Sequence, residues 1–213
     1  MARIINPAVP NLPLGPEQYE RRYQDQYSNV LRLYFNQLRN SLGLLLGRLG
    51  GQYLENPYIA ASNTVDHTLA TIDTPTLVTF DSADFEVGGY VVPNDGFHVT
   101  QGGIYNYAFS IQFENADTQI HDAYVWLRIN GVDAPWTGSF ASITSRHGGV
   151  NGYNIVAANF FVRLNADDYV EMWWAANSTQ ISMRAIPATT SPYARPGSPS
   201  VVATLSFVSA LPS

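Results

Sequence analysis

The sequence contains no cysteine and no lysine among its 213 residues. Without cysteine there can be no disulfides, no thiolate metal ligands and no cysteine nucleophile, and the redox compartment is left open. The chain also lacks an early apolar run of the length that a secretory signal needs, and a run of ~18 apolar residues that could span a membrane. We therefore expect a soluble protein with no leader and no membrane contact.

Charge is spread unevenly along the chain. Residues 1–60 hold six arginines and four acidic residues, whereas residues 61–213 hold five arginines and thirteen acidic residues. The acidic second part argues against nucleic-acid binding, which draws its affinity from clustered basic side chains. The arginines of the first part are suited to docking against an acidic protein surface.

Residue patterns typical of catalysis or metal binding are scarce. The four histidines, His67, His98, His121 and His147, lie more than twenty residues apart, so no pair has the close spacing of metal ligands on one element. Ser145 lies near His147 without a nucleophile-elbow pattern, so this glycine-rich stretch is better interpreted as a recognition loop. A depolymerase would need a cleft with paired acids, which the sequence does not reveal. We predict that the protein is not an enzyme and has no cofactor.

One acidic turn leaves an alternative open. Asp167, Asp168 and Glu171 could together ligate calcium through their carboxylate oxygens. A solvated turn at the entry of a strand explains the same residues more simply. We therefore expect no metal at this turn.

Residues 1–15 form a proline-rich segment. Pro7, Pro10 and Pro13 recur every third residue, which matches the three residues per turn of polyproline II. Such an extended arm has little to pack against itself, so Ile4 and Ile5 would gain from lying on another surface. The alternative is a tail that is disordered in the isolated protein and becomes ordered on assembly.

Residues 16–60 are predicted to form an anchoring helix and a linker. The helix is expected from Pro16 to about Leu49, with a break near Ser41. An apolar stripe follows a spacing nearer to 3.6 than to 3.5 residues per turn, which argues against a long coiled coil. The stripe consists of Tyr19, Tyr23, Tyr27, Val30, Tyr34, Leu38, Leu42, Leu45 and Leu49. Such a helix would be ~50 Å long, longer than a single head is wide, so we expect it to contact sister subunits or a larger assembly.

Residues 61–213 form short runs rich in β-branched and aromatic residues, separated by Gly, Pro, Asn and Asp. This pattern predicts an antiparallel sandwich of two sheets, and Asn130-Gly131 indicates a type I′ hairpin turn. The predicted strands are 64–72, 77–80, 90–92, 96–101, 103–114, 120–129, 153–164, 168–175, 180–186 and 201–208.

Three blocks of this region carry a family resemblance. The segment FHVTQGGIYNYAFSIQF, from Phe97 to Phe113, resembles the signature of the C1q and tumour-necrosis-factor jelly-roll superfamily. WLRINGVDAP, from Trp126, and LNADDYVEMWW, from Leu164, are similar to two further strands of that family, although Asp167 stands where the family usually has glycine. The resemblance implies a mainly β, C1q/TNF-like antiparallel jelly-roll sandwich, here preceded by an N-terminal extended arm and a long α-helix.

The same resemblance implies a homotrimer. The aromatic content supports it, because adjacent Trp173 and Trp174 must point to opposite faces of one strand, so that one ring leaves the core. The residues expected at the trimer interface are Tyr105, Tyr107, Trp126, Phe161, Trp173 and Trp174.

The first sixty residues resemble leader segments of virion proteins of marine tailed bacteriophages, especially cyanophages. The residues expected to anchor the protein in the virion are Ile4, Ile5, Pro7, Pro10, Pro13, Tyr19, Tyr23, Tyr27, Tyr34 and Leu38. This favours a capsid decoration or cement component. Its binding partner would be the major capsid protein or a tail or portal-proximal virion protein. The alternative is a tail fibre or appendage whose loops, Pro135 to Gly152 and Thr189 to Pro199, recognise a host-surface glycan or protein.

Overall fold

The computed structural model describes residues 7–15, 17–46 and 56–211, with the backbone alone for residues 44–46. The chain divides into two compact units, Met1–Glu55 and Asn56–Ser213. Ile4 and Ile5 of the predicted arm, and the predicted end of the helix at Leu49, lie outside the described residues.

The first unit contains one described helix, α1, at Arg21–Leu46. It begins at Arg21, later than the predicted start at Pro16, so Glu17 and Glu20 precede its first turn. It continues through Ser41 without the predicted break. Residues 7–15 have no helix or strand, and their last part contacts α1, since the Tyr23 hydroxyl donates to the Pro13 carbonyl at 3.3 Å. Helix α1 does not combine the length and apolarity needed to cross a membrane.

The second unit is built from strands joined by turns. The strands are β1 Tyr58–Asn63, β2 His67–Thr68, β3 Thr76–Leu77, β4 Ser82–Val87, β5 Gly89–Val92, β6 Gly96–Val99, β7 Gly103–Asn115, β8 His121–Ile129, β9 Val132–Asp133, β10 Ser139–Ile143, β11 Gly152–Leu164, β12 Tyr169–Ala176, β13 Ile181–Met183 and β14 Val201–Ser209.

These strands form two seven-stranded sheets in which all pairings are antiparallel. The first sheet has the order β2-β13-β7-β14-β1-β4, with β11 on the other edge of β7. The second sheet has the order β10-β8-β12-β6-β5, with β3 paired to β12 and β9 to β8. The predicted mainly β, antiparallel class is confirmed.

Both sheets contribute side chains to one apolar core. Strand β7 alternates strictly between buried and partly exposed residues, as its sequence predicts, so Tyr105, Tyr107 and Phe113 point inward. Trp174 of the second sheet meets Phe113 of the first, with ring centroids 5.9 Å apart. The core therefore joins the long central strand of one sheet to the central strand of the other.

The start of the second unit and some of its strands differ from the sequence prediction. The second unit begins before residue 61, because β1 starts at Tyr58 and pairs with both β4 and β14. Strands β4 and β10 were not predicted, since β4 is mostly solvent-exposed and lacks an alternating apolar pattern, and β10 lies within the stretch interpreted as a recognition loop. The Asn130-Gly131 turn has positive φ at both residues, 52° and 77°, as type I′ geometry requires.

Candidate binding face

The outward side of the second sheet carries an unusual density of rings. On β8 and β12 the inward residues are buried, so the residues between them point away from the core. We call the surface formed by these outward side chains the aromatic face; it consists of Tyr90, His98, Tyr124, Trp126, Arg128, Phe140, Tyr169, Glu171 and Trp173.

The centre of the aromatic face is a pair of tryptophans, because Trp126 on β8 and Trp173 on β12 lie opposite each other in the register. The guanidinium carbon of Arg128 lies 3.9 Å from the centroid of the Trp173 ring, a cation–π contact. Asp133 holds this group in place, since its Oδ1 accepts from Arg128 Nε at 2.6 Å and from Trp126 Nε1 at 2.7 Å. The Arg128 hydrogen bond, and then that of Trp126, lowers the pKa of Asp133 below its usual value.

One end of the face is a stack of three rings. His98 lies between Tyr90 and Tyr169, with centroid distances of 4.9 Å and 5.2 Å and near-parallel planes. His98 Nε2 also lies 3.0 Å from the Asp95 carboxylate, which fixes the ring edge. The result is a stack across β5, β6 and β12 in which both faces of the His98 ring are covered.

The other end carries Tyr124 and Phe140, whose ring centroids are 5.2 Å apart. Along β8 at Leu127, the turn between β9 and β10 presents Trp136, which is 97% exposed and has a φ of 64°. Thr137 fixes this turn, because its hydroxyl donates to the Ala134 carbonyl at 2.8 Å and accepts from the Leu127 amide at 3.1 Å. Trp136 is therefore held by its backbone while its ring stays in solvent.

Two polar atoms of the face have unmet hydrogen-bonding capacity. Among the described residues, Glu171 Oε2 and Trp173 Nε1 are enclosed and have no hydrogen-bond partner. Glu171 is only 7% exposed and lies opposite Arg128 in the register. An unpaired buried polar group costs about 1–3 kcal/mol, so these two enclosed atoms lower the stability of the head.

The structure separates the six predicted interface residues. Tyr105, Tyr107 and Trp174 are buried in the core of their own chain, so their side chains leave almost no surface for a contact with another subunit. The expectation that Trp173 and Trp174 diverge is confirmed, since Trp174 is inside and Trp173 lies on the aromatic face.

The remaining three predicted interface residues do not share one surface. Trp126 and Trp173 lie on the aromatic face, whereas Phe161, 67% exposed, lies on β11 in the other sheet. The sequence did not predict that Tyr90, His98 and Tyr169 stack on one another. It placed Trp136 and Phe140 within a recognition loop without singling them out. These rings come together only through the register of the paired strands. The sequence could show which positions of a strand face outward, but not which outward rings would meet.

The described anchoring residues follow their predicted periods. Pro7, Pro10 and Pro13 are each half-buried, while most residues between them are exposed. On α1, Tyr23, Tyr27, Tyr34 and Leu38 are half-buried along one side. Tyr19 precedes the helix and is exposed.

The acidic turn before β12 is stabilised by hydrogen bonds to the Asp168 carboxylate. Asp168 Oδ1 accepts from Asn130 Nδ2 at 2.8 Å, and Asp168 Oδ2 accepts from the Asn165 amide at 2.7 Å. Within the described ranges, no group of three His, Asp or Glu side chains has an arrangement that could hold a metal ion. These hydrogen bonds hold the start of β12 against the β8–β9 hairpin, which explains the acidic residues of the turn.

A second polar cluster is buried and serves the fold. His67 Nε2 accepts from the Thr79 amide at 3.1 Å, and Ser200 Oγ lies 3.4 Å from His67 Nδ1. The Ser200 hydroxyl donates to the Val65 carbonyl at 2.7 Å, and Ser200 is fully buried. Because the hydroxyl is occupied and inaccessible, this Ser–His pair cannot act on a substrate from solution.

No protein-family model and no curated protein sequence matches this chain.

Proposed function

We propose that this protein is a bacteriophage virion structural protein, a capsid decoration or cement component located in the virion and assembled in the bacterial host cytoplasm. In this proposal the head is a C1q/TNF-like jelly roll that forms a homotrimer and stays exposed. The arm and α1 attach it to the major capsid protein, or to a tail or portal-proximal virion protein. The observation that carries the proposal is the incomplete burial of the apolar side chains of α1.

None of the apolar side chains described on α1 is fully buried. Leu33 and Phe35, which lie off the main stripe, are 59% and 58% exposed. A helix of 26 residues draws most of its stability from packing of its apolar side, so this surface calls for a partner. Arg21, Arg22 and Arg32 are exposed on the same helix and suit an acidic partner surface.

Self-association is supported by strand β11. This strand has thirteen residues and, among the described strands, pairs only with β7, so one of its edges has no strand partner. Long unpaired edges are usually covered in stable proteins, and β11 also exposes Ile155 and Phe161. A neighbouring subunit in a closed ring would cover this edge, and head-to-tail interfaces close in this way in trimers.

The anchor is tested by incorporation into particles. A chain lacking residues 1–49 retains the complete core of the second unit, so we expect a folded trimer that no longer joins particles. In the full chain, Tyr34→Asp on the half-buried side of α1 should reduce incorporation, whereas Asn36→Asp on the exposed side should not. Immunoblots of purified particles measure both effects. Unchanged incorporation of the truncated chain would refute the anchor role.

A second candidate function, recognition of a host-surface ligand by a tail appendage, is favoured by the aromatic face. Binding sites for small ligands combine aromatic surface with a few fixed polar groups, as this face does. Copy number separates the two candidates, since a decoration protein follows the capsid lattice and an appendage occurs in few copies. Quantitative gel analysis of purified particles measures it.

A further inference from the structure

We propose that the aromatic face, with Trp136 at its edge, binds a neutral glycan whose sugar rings stack on the aromatic side chains. The inference gives a site and a ligand class to the second candidate function and rests on that candidate. It does not depend on the anchoring role of residues 1–49. Its residues belong to one sheet of the second unit and its turns.

The first argument is the shape and length of the face. Its rings occupy three of four rows across the sheet: Tyr124 with Phe140, then Trp126 with Trp173, and, beyond the row of Arg128 and Glu171, the stack around His98. With two residues per row and ~3.3 Å per residue, the rows from Tyr124 to Tyr169 extend over about 20 Å. A face of this length fits several consecutive sugar units, because each sugar presents C–H groups that pack against exposed rings, and Tyr124 and Phe140 are 42% and 60% exposed.

The second argument is the polar content of the face. Arg128, Asp133 and Glu171 lie among its rings, whereas the centre of a protein–protein interface is depleted of charged residues. Planar guanidinium and carboxylate groups beside aromatic rings suit hydroxyl groups, which both donate and accept.

The third argument is charge, which selects a neutral ligand. Residues 61–213 carry five arginines against thirteen acidic residues, so the head repels polyanions. Nucleic acid and strongly acidic polysaccharides are therefore poor ligands for this surface. A neutral polymer rich in hydroxyl groups meets no such repulsion.

The fourth argument is the state of Trp136. A bulky residue with positive φ is a conformational outlier that costs about 1–3 kcal/mol, and such outliers cluster at functional sites. Its ring is 97% exposed, so the strain is not offset by packing of the ring within its own chain. An exposed ring in the turn along β8 is free to contact a ligand bound on the neighbouring face.

The test is affinity electrophoresis of the full chain in native gels that contain soluble neutral polysaccharides: laminarin, xylan and galactomannan in separate gels. At least one gel should retard the wild-type protein, and the same polysaccharide should change its tryptophan fluorescence, since three of the four tryptophans lie on or beside this face. Trp136→Ala and Trp126→Ala should each weaken retardation about tenfold, the effect of losing one stacked ring. Phe85→Ala, an exposed ring on β4 of the other sheet, is the matched control and should bind like the wild type.

Three outcomes overturn the inference. The first is no retardation in any of the three gels. The second is retardation that Trp136→Ala and Trp126→Ala leave unchanged. The third is concentration-dependent self-association that these two variants abolish, which would identify a second copy of the chain as the occupant. Each outcome is independent of particle incorporation, so failure here leaves the anchor proposal to its own test.

Discussion

Trp173 and Trp174 are neighbours in sequence, and β12 places them on opposite sides of the second sheet, Trp174 in the core and Trp173 beneath the Arg128 guanidinium. Their roles in stability must therefore differ. Trp174→Ala should lower the free energy of unfolding by about 3–5 kcal/mol, because it leaves a cavity against Phe113. Trp173→Ala should cost only about 1 kcal/mol, mainly the cation–π contact. Urea unfolding followed by circular dichroism measures both, and equal losses would contradict the assignment.

Stability should fall in mild acid because of His67. Burial lowers the pKa of His67 below 6.5, and the hydrogen bond from the Thr79 amide to Nε2 requires the neutral ring. The unfolded chain therefore binds a proton at a higher pH than the folded chain, so the free energy of unfolding is complete above pH 6.5 and falls as the pH drops below it.

The urea midpoint should accordingly be lower at about pH 5.5 than at about pH 8. His67→Gln should reduce this difference, whereas His147→Gln, at an exposed position, should keep it. A pH dependence that survives His67→Gln would assign the effect to other groups.

Replacing Trp136 by glycine should separate stability from binding. Glycine adopts the observed φ of 64° without strain, and the exposed ring contributes little packing. Loss of the backbone strain should raise the free energy of unfolding, but glycine also raises the entropy of the unfolded chain, which offsets part of the gain. We therefore expect a free energy of unfolding that is unchanged or higher by up to about 1 kcal/mol. Thermal unfolding measures it. A loss of several kcal/mol would mean that the ring packs within the protein, which contradicts its proposed role as a free binding ring.

A charge on β11 should disrupt self-association. Phe161→Lys places a cation on the exposed side of the unpaired edge strand, where desolvation in an interface would be costly. We expect the proposed homotrimer to dissociate at micromolar concentration in sedimentation. Val132→Lys, at a similarly exposed position on β9, should leave the oligomer intact. A stable trimer in the Phe161 variant would remove β11 from the interface.

Much of the fold could be predicted because its signals are local. The strict alternation from Gly103 to Asn115 identified β7, and the Asn-Gly pair identified the turn after β8, since side-chain period and φ preference are properties of short segments. Strand β4 was missed because its mostly exposed residues show no such alternation. The early start of the second unit was missed because β1 is specified by its pairing with β14, which is more than 130 residues away.

The sequence by itself determined the antiparallel β class, the helix near the N-terminus and the divergence of Trp173 from Trp174, because periodicity decides which side chains share a face. Only the tertiary structure decided which rings meet. The register of β8 against β12 and of β5 against β6 brings Trp126 to Trp173 and Tyr90 to His98, and it encloses Tyr105 and Tyr107 in the core. The physical reason is that strand pairing joins residues far apart in the chain, and no local pattern encodes their register.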